Sequence, residues 1–421
     1  MRLSSQGFRV VVTSSWIPGG VSTWTHEFAS QLADHGHDVT CIFVKPRWLL
    51  RRQPPPFHSA RYRTIWLEPS PSGFLLAVPR FLSSFLRQYA ADFVVSTEAE
   101  GTNVSAIRGA SNHPIHIAVL HVAEPDLVEL KDLVVGAVAL AKRILQAPLW
   151  FKQQQWDVEG RTTPWYWQWV LYLTKRRLEK ADAVVCVSHS QTQAVQRVWD
   201  VPHPKLHIIY NGIDTRKFRP PPGRTKSSQR RLLFVGGSSA RKGVDLLLDA
   251  FALLADRYPG VHLDLVGGWN WSSQQLRMKR LGITSRVSLF PYIDHDDMPA
   301  YYERSYAFIA PTRAESFGRT LAEAMACAVP VISTRSGSIP EIVHHGVSGI
   351  LVPWGNVGAL AGAVSELLDQ PRVADEMGRE GRRRVEERFA WDVVLPQWEE
   401  LFERMAALSS SADRRLRREV R

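Results

Sequence analysis

Two rhythms of apolar residues alternate along this chain: short β-branched runs, and longer stretches in which apolar positions recur every three or four residues. The run Phe8–Thr13 is followed by Gly19-Gly20, by a helical pattern over Ser22–His35 and by a second run, Asp38–Val44. That is a βαβ unit with a glycine turn where the first strand feeds the helix, the arrangement of a parallel sheet covered on both faces. Further strands are predicted at Asp92–Ser96, His116–His121 and Ala183–Val187. A second series opens after the breaker-rich, charged stretch that starts Arg219-Pro-Pro-Pro-Gly, with strands at Arg231–Val235, His262–Val266, Val287–Phe290, Ala307–Ala310 and Pro330–Ser333. The pattern predicts an α/β protein of two doubly wound domains facing a central cleft, residues 1–205 and 206–385, with a C-terminal helical segment and basic tail over 386–421. A chain of 421 residues is long enough for each domain to bury its own core.

Composition narrows the class. With 45% hydrophobic and 22% charged residues the chain reads as globular, and no uncharged apolar run of about eighteen residues appears, so a membrane-spanning helix is not expected. The start, Met1-Arg-Leu-Ser-Ser-Gln-Gly, leads straight into a strand without the layout of a signal peptide, and a cytoplasmic location is expected. Cys41, Cys186 and Cys327 lie inside apolar patterns with no ligand-like spacing, as reduced packing residues would. The net charge of +11 implies attraction to phosphates or to an anionic surface. There is no recognised nucleic-acid motif, the basic tail Arg414–Arg421 reads as a fraying end, and phosphate-bearing small molecules or anionic lipid headgroups explain the surplus.

Candidate chemistry concentrates in the second domain. Glu315 and Glu323 stand eight positions apart where the strand ending at Ala310 runs through a loop into a helix predicted to begin near Phe317. A carboxylate on each side of a helix start frames free backbone N–H groups that can receive an anion, although paired glutamates there also serve as caps and solvated charge. The glycines Gly236-Gly237 after Val235 allow close backbone approach, and Arg241 and Lys242 can project onto a diphosphate, or into solvent as a surface pair. Asp294-His-Asp296-Asp297 could hold a divalent cation, but it precedes an amphipathic stretch and reads better as the N-cap and first-turn acids of a helix. In the first domain, His121 ends a strand and Gly19-Gly20 forms a turn, each a structural feature as readily as a binding one.

Longer motifs supply a resemblance. Glu315-Ser-Phe-Gly-x-Thr-Leu-Ala-Glu-Ala-Met-Ala-Cys-x-x-Pro-Val-Ile, then Gly337-Ser-Ile-Pro-Glu-Ile-Val and Gly346-Val-Ser-Gly-Ile-Leu-Val-Pro, preceded by Ala181-Asp-Ala-Val-Val-Cys-Val-Ser, Asn211-Gly-Ile-Asp and Phe234-Val-Gly-Gly, resemble the retaining glycosyltransferases of the family 4 type, the glycosyl transferases group 1. The resemblance implies the GT-B fold, two Rossmann-like domains with the last helix, from about Phe389, crossing back to the first. It implies transfer of a hexose-type sugar from a nucleotide diphosphate sugar to a hydroxyl acceptor with retention; with Arg241 and Lys242 to neutralise the leaving phosphate, no metal cofactor is expected. By the same resemblance Lys242, the backbone of Ser316, Phe317 and Gly318, and Thr320 hold phosphates, Glu323 bonds the ribose and Glu315 the transferred sugar. The loop of Tyr292 lies beside the base, and Gly19, Gly20 and His121 lie near the sugar. Where the family has an arginine this chain has Gly237, and Arg241 is the candidate substitute.

The acceptor is less legible. Leu127–Trp150 is aliphatic with Lys131, Lys142 and Arg143, and the following residues to Leu173 carry Trp156, Trp165, Tyr166, Trp167, Trp169 and Tyr172. A helical insertion over about 127–173 could lie on an anionic membrane, pack as a hairpin on the first domain or line an apolar acceptor pocket. Two other functions stay open: an inverting transferase of the same shape, with His121 or Glu124 as base, and a binding or scaffold protein that has lost activity. The Gly237 departure favours the last, and the presence of Lys242, Glu315, Gly318 and Glu323 opposes it.

Overall fold

The structure, a computed structural model, describes residues 7–15, 20–44, 60–67, 71–97, 114–121, 157–158, 161–162, 174–220, 230–267 and 271–419. The chain forms two compact units. The first comprises residues 1–187, 192–209 and 395–421, the second 188–191 and 210–394. The main change of unit therefore falls at Ile209/Tyr210, four residues beyond the predicted boundary, and Leu395 onward belongs to the first unit.

In the first unit β1 (Arg9–Ser15), β2 (Asp38–Val44), β3 (Arg63–Leu67), β4 (Phe93–Ser96), β5 (Ile115–Leu120), β8 (Ala183–Cys186) and β9 (Leu206–Ile208) make one parallel sheet in the order β3-β2-β1-β4-β5-β8-β9. Its central strands carry buried apolar runs, Val10–Val12, Phe93–Val95, Ile117–Leu120 and Ala183–Cys186, because both faces are covered. Helix Trp391–Glu419 contributes Trp398 and Phe402, one turn apart on one face, which meet Phe28 at 4.7 Å and Phe93 at 4.6 Å.

The second unit repeats the plan with β10 (Arg230–Val235), β11 (Val261–Val266), β12 (Val287–Phe290), β13 (Ala307–Ala310), β14 (Val331–Thr334) and β15 (Ile350–Val352), ordered β12-β11-β10-β13-β14-β15 and parallel throughout. Strand order reverses between β10 and β13, so the loops leaving those two strands border the crevice where open α/β sheets bind ligands. A core of Leu232, Phe234, Leu247, Phe251, Leu263 and Leu265 with the helix residues Leu360, Val364 and Leu367 fixes the sheet beneath them.

Three strands of the two parallel sheets escape the sequence pattern. β9 and β15 are only three residues long, and β3 is a partly exposed edge strand in a charged stretch, too weakly apolar for the run to stand out. Within the expected helical insertion, Asp157–Val158 pair antiparallel with Arg161–Thr162 as β6 and β7, strands where helix was predicted; β-branched Val158 and Thr162 flank Gly160, which breaks helical continuity in the sequence. The remainder of the insertion and the Trp-rich stretch lie outside the described residues. Among the described residues no helix is long and apolar enough to cross a membrane.

Candidate active site

Two loops at the β10/β13 reversal build the site. After β10 the chain passes Gly236 and Gly237 into a single 3₁₀ turn, Ala240–Lys242, and after β13 it passes Pro311–Gly318 into helix Arg319–Ala326. The loops are laced together: the Arg313 N–H donates to the Arg241 carbonyl at 2.7 Å and the Thr312 hydroxyl donates to the same carbonyl at 3.3 Å. Their approach depends on Gly243, which has φ +71° and where a Cβ would lie 2.0 Å from the Pro311 carbonyl oxygen. Gly243→Ala is therefore expected to lower stability by about 1–3 kcal/mol through overpacking and backbone strain, read as a fall in the urea midpoint.

The helix starts two residues later than predicted. Gly318 adopts φ +90° as its N-cap, a conformation costly for other residues, and Phe317 is buried against Tyr210 and Phe389 at ring distances of 6.2 and 5.6 Å. The Phe317 ring thus anchors the turn, and its backbone is the part of it left at the helix start. Ser316 is buried, Thr320 is half-buried, and the first N–H groups of the helix lie in this turn, where intrahelical partners are lacking by geometry.

Charge is arranged around Glu315. Lys242 Nζ lies 2.8 Å and Arg241 Nη1 3.8 Å from its Oε2, with the three side chains only 16–24% exposed. Arg241 Nη1 also donates to the Ala314 carbonyl at 2.9 Å. Burial alone would push the Glu315 carboxyl up, but the Lys242 and Arg241 charges and the Ser316 N–H outweigh it and hold it below the usual carboxylate range. Ser338 fixes the backbone, its N–H and hydroxyl both donating to the Glu315 carbonyl at 3.1 and 3.0 Å. Residues 73 positions apart in sequence thus present an ionised carboxylate and two cations beside a helix N-terminus.

Glu323 lies deeper and is more fully held. Its Oε1 accepts from His295 Nε2 and Arg319 Nε, each at 2.8 Å, and its Oε2 from the Tyr302 hydroxyl at 2.9 Å. Burial would raise its carboxyl, yet His295 and Arg319 bring it down to about 2. A carboxylate offers about four lone-pair sites, so one remains for a further donor. The expectation that Asp294–Asp297 caps a helix is met only in position: Asp297 is the N-cap residue of helix Met298–Glu303 but its side chain makes no capping bond and the first turn holds no acid, while Asp296 accepts from Lys217 at 2.6 Å and His295 reaches Glu323. Lys217 and Glu323 thus take up Asp296 and His295 in tertiary bonds, and a local side-chain cap worth about 1 kcal/mol does not form. Of these partners only Arg319, one turn before Glu323, carried a signal in the sequence; His295, Tyr302 and Lys217 carried none.

The remaining candidates divide by unit. In the second, Gly237 is exposed and a Cβ there would meet nothing within 4 Å, while Tyr292 follows the Phe290-Pro291 turn that accepts hydrogen bonds from the Trp271 indole at 3.1 Å and the Gly267 N–H at 3.2–3.3 Å. In the first, His121 follows β5 with its ring 4.5 Å from Trp24, on the helix that Gly20 opens, so the strand end and that helix start lie close together. Gly19 is outside the described residues. No cluster of three or more metal-binding side chains occurs among the described residues.

Known proteins share this plan. The model of Glycosyltransferase Family 4 matches residues 18–217 and that of Glycosyl transferases group 1 matches residues 215–384. A glycogen synthase of Mycobacterium tuberculosis is 27% identical over 52% of this chain and 53% of its own, so the chain matches about half the length of that relative. A GDP-mannose-dependent alpha-(1-6)-phosphatidylinositol monomannoside mannosyltransferase of Mycolicibacterium smegmatis is 30% identical over 63% of this chain and 70% of its own. The sucrose-phosphate synthase of Thermosynechococcus elongatus superposes with a TM-score of 0.73 over 95% of this chain and all of the other, a likeness of fold at 21% identity. Two family models that meet near residue 216, a relative at 30% identity and a shared pair of parallel-sheet units lead to one assignment: the chain belongs to glycosyltransferase family 4 and has the GT-B fold.

Proposed function

We propose that the protein transfers a hexose from a nucleotide diphosphate sugar to a hydroxyl acceptor with retention of anomeric configuration. The observation that carries this reading is the pairing of Lys242 and Arg241 with ionised Glu315 beside the N-terminus of helix Arg319–Ala326. Without donor, Glu315 occupies the cations. A bound pyrophosphate takes over Lys242 and Arg241 together with the N–H groups near Gly318, and Glu315 is released to accept from hydroxyls of the transferred sugar. Arg241 then supplies the second cation that Gly237 lacks. Departure of the nucleoside diphosphate leaves oxocarbenium-like charge on the sugar and new negative charge on phosphate, and catalysis consists mainly of stabilising that leaving group. With two cations and a helix terminus in place, no metal ion is required for the charge balance. Glu323, with one lone-pair site to spare, faces the nucleotide ribose.

Retention follows from attack on the same face as departure, with Glu315 an orienting group rather than a nucleophile. The named requirement of the M. smegmatis relative supports GDP-mannose as the first donor to try, and a lipid-linked hydroxyl as the acceptor class. The aliphatic, cationic and aromatic sequence from Leu127 to Leu173 supports peripheral contact with an anionic membrane. Proton NMR of the sugar released by slow donor hydrolysis tests the stereochemistry: an α-linked donor should first yield the α-sugar, before mutarotation, and first appearance of the β-sugar would establish the inverting alternative.

A further inference from the structure

His295 takes no part in the transfer as drawn above, yet it stands in the middle of a charged chain. Lys217 Nζ lies 2.9 Å from its Nδ1, and Glu323 Oε1 lies 2.8 Å from its Nε2. An ammonium only donates, so Nδ1 accepts; the ring proton then sits on Nε2 and points at the carboxylate. Neither end is loose. Lys217 also reaches Asp296 at 2.6 Å, its own backbone N–H donates to Asp214 at 3.0 Å, and the adjoining Phe218 is fully buried with its ring 5.0 Å from the imidazole. At the other end Arg319 and Tyr302 hold the same carboxylate from two different helices.

We propose that His295 is a positioning residue for donor binding: its Nε2–H fixes the rotation of the Glu323 carboxylate, and so the direction of the remaining lone pair, while Nδ1 ties the Tyr292–Asp296 loop to the Asp214–Phe218 turn. This rests on the reading of Glu323 as the ribose contact. Three donors around one carboxylate define its plane. Removing the His295 donor leaves Arg319 and Tyr302 to keep Glu323 buried, and what changes is the orientation of the oxygen offered to a ligand.

The two ring nitrogens can be tested separately. In His295→Gln the amide nitrogen reaches the place of Nε2 and keeps the donation to Glu323. In His295→Asn the amide oxygen reaches the place of Nδ1 and keeps only the bond from Lys217, and His295→Ala keeps neither. Calorimetric binding of GDP, UDP, ADP and TDP, with donor KM and kcat and a thermal melt for each variant, gives the readout. His295→Gln is expected to bind the preferred nucleotide within about threefold of wild type, and His295→Asn and His295→Ala about tenfold more weakly, with the loss in KM rather than kcat. Equal affinity of the Asn and Gln variants, or of all three and wild type, would overturn the inference and leave the donor site standing. If wild-type protein binds none of the four nucleotides, the donor-site reading itself fails and the inference with it.

Discussion

Replacing Lys242 with alanine is expected to lower kcat/KM for the donor by about 10²–10³, the loss usual when one well-placed donor to a developing anion is removed. The structure gives the reason for so large an effect. Lys242 is largely buried, lies 2.8 Å from Glu315 and shares that carboxylate with Arg241, so its removal leaves one cation to meet both Glu315 and the incoming diphosphate. Lys242→Arg should retain part of the activity, because the charge survives while its point geometry does not. Arg241→Ala should fall by less than Lys242→Ala if Arg241 only supplements the lysine, and by as much if it fully replaces the arginine absent at Gly237. Steady-state kinetics on the three variants with one donor checks these results. Folding should be little affected, and unchanged circular dichroism would separate the catalytic loss from a structural one.

The second large effect is on stability. Glu323→Ala strands the Arg319 guanidinium, the His295 imidazole and the Tyr302 hydroxyl in a buried site, and breaking such a pair by deleting one partner costs about 3–5 kcal/mol. Glu323→Gln should be milder, since the amide oxygen still accepts from some of the three. The pH dependence follows from linkage. The folded carboxyl is lowered from 4.5 to about 2, so on acidification the unfolded state takes up the proton first. The stabilisation is present in full above pH 4.5 and is lost as pH falls from there towards 2. Urea denaturation at pH 7, 5, 4 and 3 should show Glu323→Gln converging on wild type only at the acid end; a gap that stays constant would show that the loss is one of packing rather than of ionisation.

How far the sequence discloses this depends on the range of each contact. The central strands were legible because β-branched runs such as Phe8–Thr13 and Ala183–Val187 have no competing periodicity, and the family motifs marked Glu315, Glu323 and Lys242 as candidates for one site. β9 and β15 were not legible, because three residues form a strand only when a neighbouring strand is already there to pair with. Within the site the division is the same. Arg319 and Glu323 are one helical turn apart, whereas Glu315 meets Lys242 across 73 residues and Glu323 meets His295 across 28, and no local pattern in one chain encodes such pairs. Asp294–Asp297 shows the cost of arguing locally: three acids ahead of a helix look like caps, and the fold uses Asp296 and His295 to bind Lys217 and Glu323 instead.

The central claim is that the loops at the β10/β13 reversal hold a nucleotide diphosphate sugar through Lys242. Saturation-transfer NMR of wild-type protein and Lys242→Ala against GDP-mannose, UDP-glucose, ADP-glucose and TDP-glucose tests it most directly. Binding of one donor by wild type, with signal lost or strongly reduced in the variant, is the predicted result. Equal binding by both proteins would move the diphosphate away from Lys242, and the absence of binding by wild type to any of the four would contradict the transferase reading in favour of a scaffold that keeps the fold without the activity.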